Sequence, residues 1–191
     1  MLPTLAVDLP GHEGRNGYYM HTWSGRRFFP LDPRPDEVFI EDIAHALSNQ
    51  CRFNGHTTIF YSVAEHCYHC SKQVPPEFAL EALLHDAAEA YIGDIIRPLK
   101  LVPSIKDVYT PIEQAVERVI AQKFKLVYPW SAWVKKADEM MVTAEMDQII
   151  EASNKGHLHD SSETADCTVY GFTPRTAYNL FMDRFHQLER A

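Results

Sequence analysis

Apolar residues recur at helical spacing through much of the chain, beginning with the stretch PDEVFIEDIAHALSNQ at residues 35–50. The apolar positions that share one face there are Ile40, Ile43, Ala44 and Leu47. Acidic residues at the start of this stretch suit the N-terminal end of a helix dipole. Before it, aromatic and polar residues alternate around Ser24-Gly25 over residues 18–31, which predicts a short β-hairpin.

Capping residues and prolines divide the rest of the chain into further helices. Ser62 is a good N-cap for a helix that stops near Pro75-Pro76, where a third helix begins and runs to about Gly93. The expected helices after the first are 63–74, 76–93, 110–124, 131–153 and 174–191, and the expected loops are 94–109 and 154–172. The pattern predicts an all-α fold with a short N-terminal β-hairpin. Residues 1–16 are expected to be a flexible lead-in, and residues 17–191 a single domain.

Composition and charge narrow the possible partners. The chain has 191 residues, of which 46% are hydrophobic, and its formal net charge of −8 opposes binding to a nucleic-acid duplex. No apolar run approaches the ~20 residues of a membrane span, and the N-terminus lacks the basic and apolar regions of a secretory signal. Four unevenly spaced cysteines do not form a disulfide framework. We therefore expect a cytoplasmic protein with no membrane partner.

The stretch EALLHDAAEAYIGD at residues 81–94 places charged side chains inside an apolar helix. His66 lies nine residues before Pro75, and His85 lies nine residues after Pro76. In an antiparallel hairpin that turns at the two prolines, these positions come level, so His66 is expected to face His85 and Asp86. Buried carboxylates need compensation, and two imidazoles with a carboxylate suit a divalent transition metal.

Two more carboxylates extend this predicted metal site. Asp138 borders the apolar face of the helix that contains VKKADEMMVTAE, and it is the best candidate for a fourth ligand. Helical spacing puts Glu89 on the face of His85 and Asp86, where a carboxylate can polarise a metal-bound water or protonate a leaving group.

Together, His66, His85-Asp86 and Asp138 resemble the H…HD…D signature of HD-domain metal-dependent phosphohydrolases. The surrounding sequence is similar to the small nucleotidase branch of that family, which includes YfbR-type 5′-deoxynucleotidases, prophage YfdR-type proteins and phage dATP triphosphohydrolases. The segments that carry this resemblance are TWSGRRF, IAHALSNQCRFNGH, FYSVAEHC, ALLHDAAEAYIGDIIRPLK and VKKADEMM. The short interval between His66 and the HD pair favours the prophage-type branch.

The resemblance implies an HD-domain helical bundle with one divalent metal, which would be Co, Mn, Zn, Ni or Fe. The implied metal ligands are His66, His85, Asp86 and Asp138. Glu89 would be the catalytic carboxylate, and Asp94 would be a second acid at the mouth of the site.

The resemblance also implies the substrate contacts. Arg52-Phe53 stands where deoxynucleotidases have an Arg-Trp pair that contacts phosphate and sugar. Lys100 matches the loop lysine of the family, and we expect Arg97 beside it at the phosphate, because guanidinium and ammonium groups bind phosphate oxygens. For His56, a substrate contact and an ordinary turn residue are equally compatible with the sequence.

The implied activity is metal-dependent hydrolysis of the 5′ phosphoester of 2′-deoxynucleotides, giving deoxynucleoside and phosphate from the monophosphate. The main alternative is a triphosphohydrolase that releases intact triphosphate from dATP. Two other classes are a regulatory binding module and a di-iron oxygenase, but the latter would need more metal ligands. Relatives assemble as homo-oligomers, so a homo-oligomer is expected here too.

The tract HCYHC at residues 66–70 has two interpretations. Cys67 and Cys70 could form half of a zinc site, although no second pair of ligands has suitable spacing. Buried free thiols are the preferred interpretation, with His69 at the surface or in an interface. Trp23, Phe53 and Tyr61 are expected mainly as core or interface residues, with stacking on a base as the alternative.

Overall fold

The order of elements follows the capping and turn signals along the chain. The computed structural model describes residues 2–7, 11–151 and 163–190, and the described chain is mostly helical. Its strands are β1 (Met20–His21) and β2 (Arg27–Phe28). Its α-helices are α1 (Ile40–Asn49), α2 (Val63–Cys70), α3 (Ala79–Leu84), α4 (Glu89–Ile92), α5 (Arg97–Lys100), α6 (Pro103–Phe124), α7 (Ala132–Ile149) and α8 (Pro174–Glu189). An all-α fold with a short N-terminal hairpin is confirmed.

The hairpin forms where the alternating pattern predicts it. Strands β1 and β2 are antiparallel, with Met20 opposite Phe28 and His21 opposite Arg27. The amide of Gly25 donates to the carbonyl of Thr22, and Gly25 has φ 79°, a left-handed conformation that glycine adopts without steric cost. Ser24-Gly25 is therefore the turn, as predicted.

The predicted third helix, 76–93, was wrong as a continuous element. A 3-10 turn at Pro76–Phe78 precedes α3, which ends at Leu84, and α4 begins at Glu89 after a turn. The His85 ring is hydrogen-bonded to the carbonyl of Ala82, the group that the amide of Asp86 would use in an uninterrupted α-helix. This competition from a side chain provides a physical reason for the break at His85.

The predicted loop at 94–109 was also wrong, because it contains α5 and the start of α6. Pro98 lies in the first turn of α5 and Pro103 begins α6, positions where proline costs no helical hydrogen bond. Helix α6 continues through Pro111, where the sequence pattern predicts a helix start. Part of the other predicted loop, residues 152–162, lies outside the described residues, as do Met1 and residues 8–10 of the lead-in. Residues 163–172 contain no helix or strand.

One compact unit comprises the described residues within 1–46 and 87–128. Its interior contains side chains from β2, α1 and α6, and α6 packs against α5 and a 3-10 turn at Pro35–Glu37. The fully buried apolar residues include Phe28, Val38, Ile43, Val116 and Ile120. Arg15 is tied to this unit by ion pairs with Asp32 at 2.6 Å and Glu37 at 2.5 Å.

A second compact unit comprises the described residues within 47–86 and 129–191. Helix α2 is at its centre and packs against α3, α7 and α8. One apolar cluster contains Cys70, Ala82, Val134, Met141, Ala144 and Ala165, and a smaller one contains Tyr61, Ile149 and Val169. Among the described residues, no helix combines the length and apolar character that crossing a membrane requires.

The N-terminus of α2 also fastens the segment that precedes α8. Ser62 caps the helix by accepting a hydrogen bond from the amide of Glu65, as predicted. The Glu65 carboxylate is buried and accepts hydrogen bonds from three successive amides, at 2.9, 3.0 and 2.7 Å. These amides belong to Tyr170, Gly171 and Phe172. A charge buried in this way is stabilised by backbone dipoles.

We expect Glu65→Ala to lower the free energy of unfolding by about 3 kcal/mol, because three backbone amides lose the buried acceptor that they share. Urea denaturation measures the loss. Glu77→Ala is the matched control, since Glu77 is an exposed acid in another first turn and should change stability by less than about 0.5 kcal/mol. Equal effects of the two substitutions would contradict the role assigned to Glu65.

Candidate metal centre

The second unit brings two histidines together, as the spacing around Pro75-Pro76 predicts. Nε2 of His66 on α2 lies 3.4 Å from Nε2 of His85, which follows α3. Both residues are buried. The two imidazoles therefore direct the same nitrogen at one point.

The other ring nitrogen of each histidine is held by an acceptor. Nδ1 of His66 lies 2.6 Å from Oε1 of Glu145, and Nδ1 of His85 lies 2.8 Å from the carbonyl oxygen of Ala82. A carbonyl or carboxylate oxygen can only accept, so both Nδ1 atoms carry hydrogen. In the neutral rings the Nε2 lone pairs then face each other. Histidines that bind a metal through Nε2 commonly have the same arrangement, in which Nδ1–H donates to an acceptor that orients the ring.

Two carboxylates complete the surroundings of the imidazole nitrogens. Asp86 places its oxygens 3.6 Å from Nε2 of His66 and 3.3 Å from Nε2 of His85. Oδ1 of Asp138, on α7, lies 3.2 Å from the first nitrogen and 3.9 Å from the second. All four residues predicted as metal ligands thus lie within one cluster.

The charges in the cluster shift the protonation equilibria. Partial burial would raise the pKa of the Asp138 carboxyl, but its neighbours His66, His85 and Arg52 lower it well below its ordinary range. Burial and Arg52 lower the pKa of His66, whereas Cys70, Glu145 and Asp138 raise it, and the net direction is upward. The negative charge of the cluster therefore favours a cation beside the two Nε2 atoms.

Two buried cysteines lie beside these histidines. Sγ of Cys70 is 3.4 Å from Nε2 of His66, and the ligand atoms of His66, Cys70 and His85 lie within 4.8 Å of one another. A second such group consists of Cys67, His85 and Asp86. Both cysteines are free thiols, as predicted, and burial raises the pKa of Cys70 to about 11. These buried His, Cys and Asp side chains could hold a metal ion.

Behind the histidines, Glu145 is the centre of a buried polar network that was not among the predicted site residues. Its carboxylate accepts hydrogen bonds from Tyr61 at 2.8 Å, from His66 at 2.6 Å, and from two Arg52 nitrogens at 3.3 and 3.2 Å. Arg52 also reaches Asp86 at 3.4 Å. The signal in the sequence was the spacing of Glu145 seven residues after Asp138, on the same face of a helix.

The turn that follows Arg52 has a strained backbone. Phe53 and Asn54 have φ values of 52° and 51°, and Gly55 continues the left-handed conformation at 76°. Left-handed backbone costs roughly 1–2 kcal/mol for a residue other than glycine. Pairing of the Arg52 amide with the Tyr61 carbonyl at 3.0 Å closes this loop at its base. His56 is exposed at the end of the turn.

The remaining predicted residues lie in the first unit. Glu89 is buried at the start of α4, and Nζ of Lys100 lies 3.8 Å from its carboxylate and 2.9 Å from that of Glu113. Burial is the largest cause of the raised pKa of Tyr109, and the negative charges of Glu113, Glu89 and Asp94 raise it further. Arg97 is exposed. Glu89, Asp94 and Lys100 thus belong to one group of charged side chains.

One expectation in this region was wrong. The sequence predicts His69 at a surface or in an interface, yet the residue is only 5% exposed. It packs beside Tyr170 at a ring-centroid distance of 6.4 Å, and its Nε2 lies 3.7 Å from the Glu65 carboxylate. The segment before α8 covers it, a tertiary contact that local sequence does not reveal.

We expect Glu145→Ala to lower the free energy of unfolding by about 3–5 kcal/mol, because the buried Arg52 charge loses its main partner. Chemical denaturation measures this. Glu139→Ala removes an exposed acid from the same helix and should cost less than about 0.5 kcal/mol. A Glu145 variant as stable as the Glu139 control would contradict the importance of the network.

Comparison with known proteins gives two relatives. The chain is 41% identical over 173 residues to the uncharacterized protein YfdR of Escherichia coli, which covers 89% of this chain and 95% of YfdR. It is 36% identical over 139 residues to an uncharacterized protein of Rhodobacter capsulatus, covering 66% of this chain and 70% of that protein. No family model matches the chain. The extent of the first match shows that the chain belongs to the family of YfdR.

Proposed function

We propose that this protein is an HD-domain metal-dependent phosphohydrolase that hydrolyses the 5′ phosphoester of 2′-deoxynucleotides. Its preferred reaction converts a deoxynucleoside 5′-monophosphate and water into deoxynucleoside and phosphate. The observation that carries the proposal is the pair of Nε2 atoms 3.4 Å apart, with two carboxylates beside them. Two lone pairs held this close repel each other unless a cation lies between them.

The proposed ligands of one divalent transition metal are His66, His85, Asp86 and Asp138. The two Nε2 atoms lie 3.4 Å apart, and the carboxylate oxygens lie 3.2 to 3.9 Å from them. Atoms that bind one ion at distances near 2.1 Å lie roughly 3–3.5 Å apart, so the donor set fits such an ion. Co, Mn, Zn, Ni and Fe all accept imidazole and carboxylate ligands. When bound, the ion would neutralise a phosphate oxygen and lower the pKa of a water molecule.

Arg52 is the proposed cation that orients the phosphate beside the ligands. Its guanidinium is held by Glu145 and reaches Asp86, so its position is fixed before substrate arrives. A preorganised guanidinium loses little entropy when a phosphate binds. Phe53 and His56, in the strained turn that follows, are proposed to contact the sugar.

Glu89 is the proposed catalytic carboxylate. Attack of water on phosphorus breaks the P–O5′ bond, so one proton must leave the water and one must reach O5′. A carboxylate can accept the first proton and deliver the second. The chain places Glu89 three residues after Asp86, and Lys100, 3.8 Å from its carboxylate, would restrain its orientation. Asp94 is proposed as an additional acid.

A second candidate reaction is release of triphosphate from dATP, which breaks a bond at the same O5′. Arg97 and Lys106 favour it, because both are exposed and neither has an ion pair among the described residues. Such cations could bind β- and γ-phosphates, whereas Lys100 already lies between Glu89 and Glu113.

We expect the purified protein to bind about one divalent metal per chain, and His85→Ala to weaken binding at least about tenfold. Calorimetric titration with Mn²⁺ or Co²⁺ measures both. His186→Ala is the control, because His186 is a half-exposed histidine on α8. Equal affinity in the two variants would contradict the assigned site.

Metal affinity should also rise with pH. The raised pKa of His66 means that a bound proton must leave before its Nε2 can coordinate. Below that pKa, each pH unit should strengthen binding by about tenfold, and above it the affinity should level off. Titrations between about pH 6 and 8 test this, and an affinity that falls as pH rises would contradict it.

Product analysis tests the reaction itself. The protein with Mn²⁺ or Co²⁺ is incubated with ribo- and deoxynucleoside mono- and triphosphates, and the products are separated by ion-pair chromatography. Phosphate from deoxynucleoside monophosphates supports the preferred reaction, and intact triphosphate supports the second. No product from any substrate, with metal bound, would contradict both and leave a regulatory binding module.

The same assay tests Glu89. We expect Glu89→Gln to lower kcat by about 10²–10⁴-fold while metal still binds, because the amide cannot exchange a proton. Asp107→Asn, an exposed acid on α6, should retain full turnover. A fully active Glu89→Gln enzyme would contradict the catalytic role.

A further inference from the structure

The first unit contains a cleft that none of the assigned metal or phosphate residues lines. Its volume is about 320 Å³, and its walls include Trp23, Asp42, His45, Ala46 and Tyr91. Sites for small organic ligands begin at about 300 Å³, so a ligand of a few rings would fit. We refer to this space as the Trp23 cleft.

One wall of the Trp23 cleft is a flat aromatic platform. The rings of Trp23 and His45 are stacked, with centroids 4.6 Å apart and an angle of 14° between their planes. Trp23 is nevertheless 59% exposed. Two parallel rings suit a further planar ring, whereas a tetrahedral ammonium group is usually surrounded by ring faces in several directions.

A buried carboxylate forms another part of the cleft. Asp42 is only 3% exposed and accepts hydrogen bonds from the amide and the hydroxyl of Ser24, at 2.7 and 2.8 Å. Within the described parts of the chain, no cation pairs with Asp42. A carboxylate has about four acceptor positions, so Asp42 can accept further hydrogen bonds. A ligand that donates N–H groups would offset the cost of burying its charge.

Tyr91 adds a polar group to the same cleft. It is 6% exposed, and its ring stacks on Phe28 with centroids 3.8 Å apart, which fixes its position. Its hydroxyl is buried and donates to no acceptor among the described residues, although the Phe39 backbone lies close enough to its oxygen to oppose the rise of its pKa. Burial also raises the pKa of Tyr91, so the hydroxyl stays protonated and can donate. An unsatisfied buried donor costs about 1–3 kcal/mol.

We propose that the Trp23 cleft binds an amino-substituted purine base, such as adenine. The base stacks on Trp23, its exocyclic amino group donates to Asp42, and a ring nitrogen accepts from Tyr91. This inference does not rest on the proposed hydrolysis, because it concerns the base alone and other residues. It assigns the first unit a nucleobase site.

The test compares two nucleosides that differ only in the amino group and carry no phosphate to hydrolyse. Calorimetry with adenosine should give a dissociation constant below about 1 mM, and purine riboside should bind about tenfold more weakly. Asp42→Asn should remove most of this difference. Failure of adenosine to bind, or equal binding of both nucleosides to the unaltered protein, would overturn the proposal.

Variants locate the binding site. Trp23→Leu removes the platform and Ala46→Phe fills the cleft, so each should weaken adenosine binding at least tenfold. Trp133→Leu changes another exposed tryptophan, in the second unit, and should leave binding unchanged. Thermal melting checks that each variant is folded. If Asp42→Asn unfolds, the Trp23 and Ala46 variants decide, and binding that survives in both overturns the proposal.

A final binding measurement, on a metal-site variant, distinguishes the Trp23 cleft from the proposed metal centre. His85→Ala should bind adenosine as tightly as the unaltered protein, even if it neither binds metal nor hydrolyses nucleotides. Loss of adenosine binding in folded His85→Ala would assign the nucleoside to the metal centre and overturn the cleft proposal. An inactive protein that still binds adenosine through Trp23 would instead contradict only the proposed hydrolysis.

Discussion

The stability of the second unit depends on the groups that offset the buried negative charge of Glu145. This fully buried carboxylate accepts hydrogen bonds from Arg52, Tyr61 and His66, which come from two segments distant from α7 in the chain. Each bond offsets the cost of burying the charge, and each also fixes a side chain of the site. Arg52 is aimed at Asp86, and His66 is left with its Nε2 toward His85. Stability and site geometry therefore come from the same carboxylate.

Spacing within the sequence was enough to pair the two histidines. This prediction needs only two antiparallel helices joined at a proline turn. It holds even though α3 ends at Leu84, because the residue that faces His66 is set by its distance in sequence from the turn. The break at His85 was not predictable in the same way. It involves a side chain competing for the carbonyl of Ala82, and an apolar helical pattern continues through such a break without a change in period.

Long-range contacts explain most of what the sequence did not reveal. The residues that contact Glu145 are 79 to 93 positions away from it in the chain. The local sequence around Glu145 shows only an acidic residue near the apolar face of a helix. His69 is covered by Tyr170, from a segment whose sequence predicts only a loop. Pro111 led to a wrong helix boundary. Proline commonly marks the start of a helix, but α6 contains this proline in its interior. Local rules find elements, but they do not find the partner of a buried charge.

Three buried carboxylates in this protein differ in the number of hydrogen-bond donors that offset their charge. This difference distinguishes carboxylates with a structural role from one that can bind a ligand. Glu65 is satisfied by three backbone amides and fastens a segment, and Glu145 is satisfied by a cation and two further donors. Asp42 is almost as deeply buried, yet the hydrogen bonds that its carboxylate accepts within the described chain both come from Ser24. Burial costs all three carboxylates a similar amount of hydration, so the one with the fewest donors has the most to gain from a ligand. Because Asp42 lines an open cleft rather than a packed interior, a ligand can supply those donors.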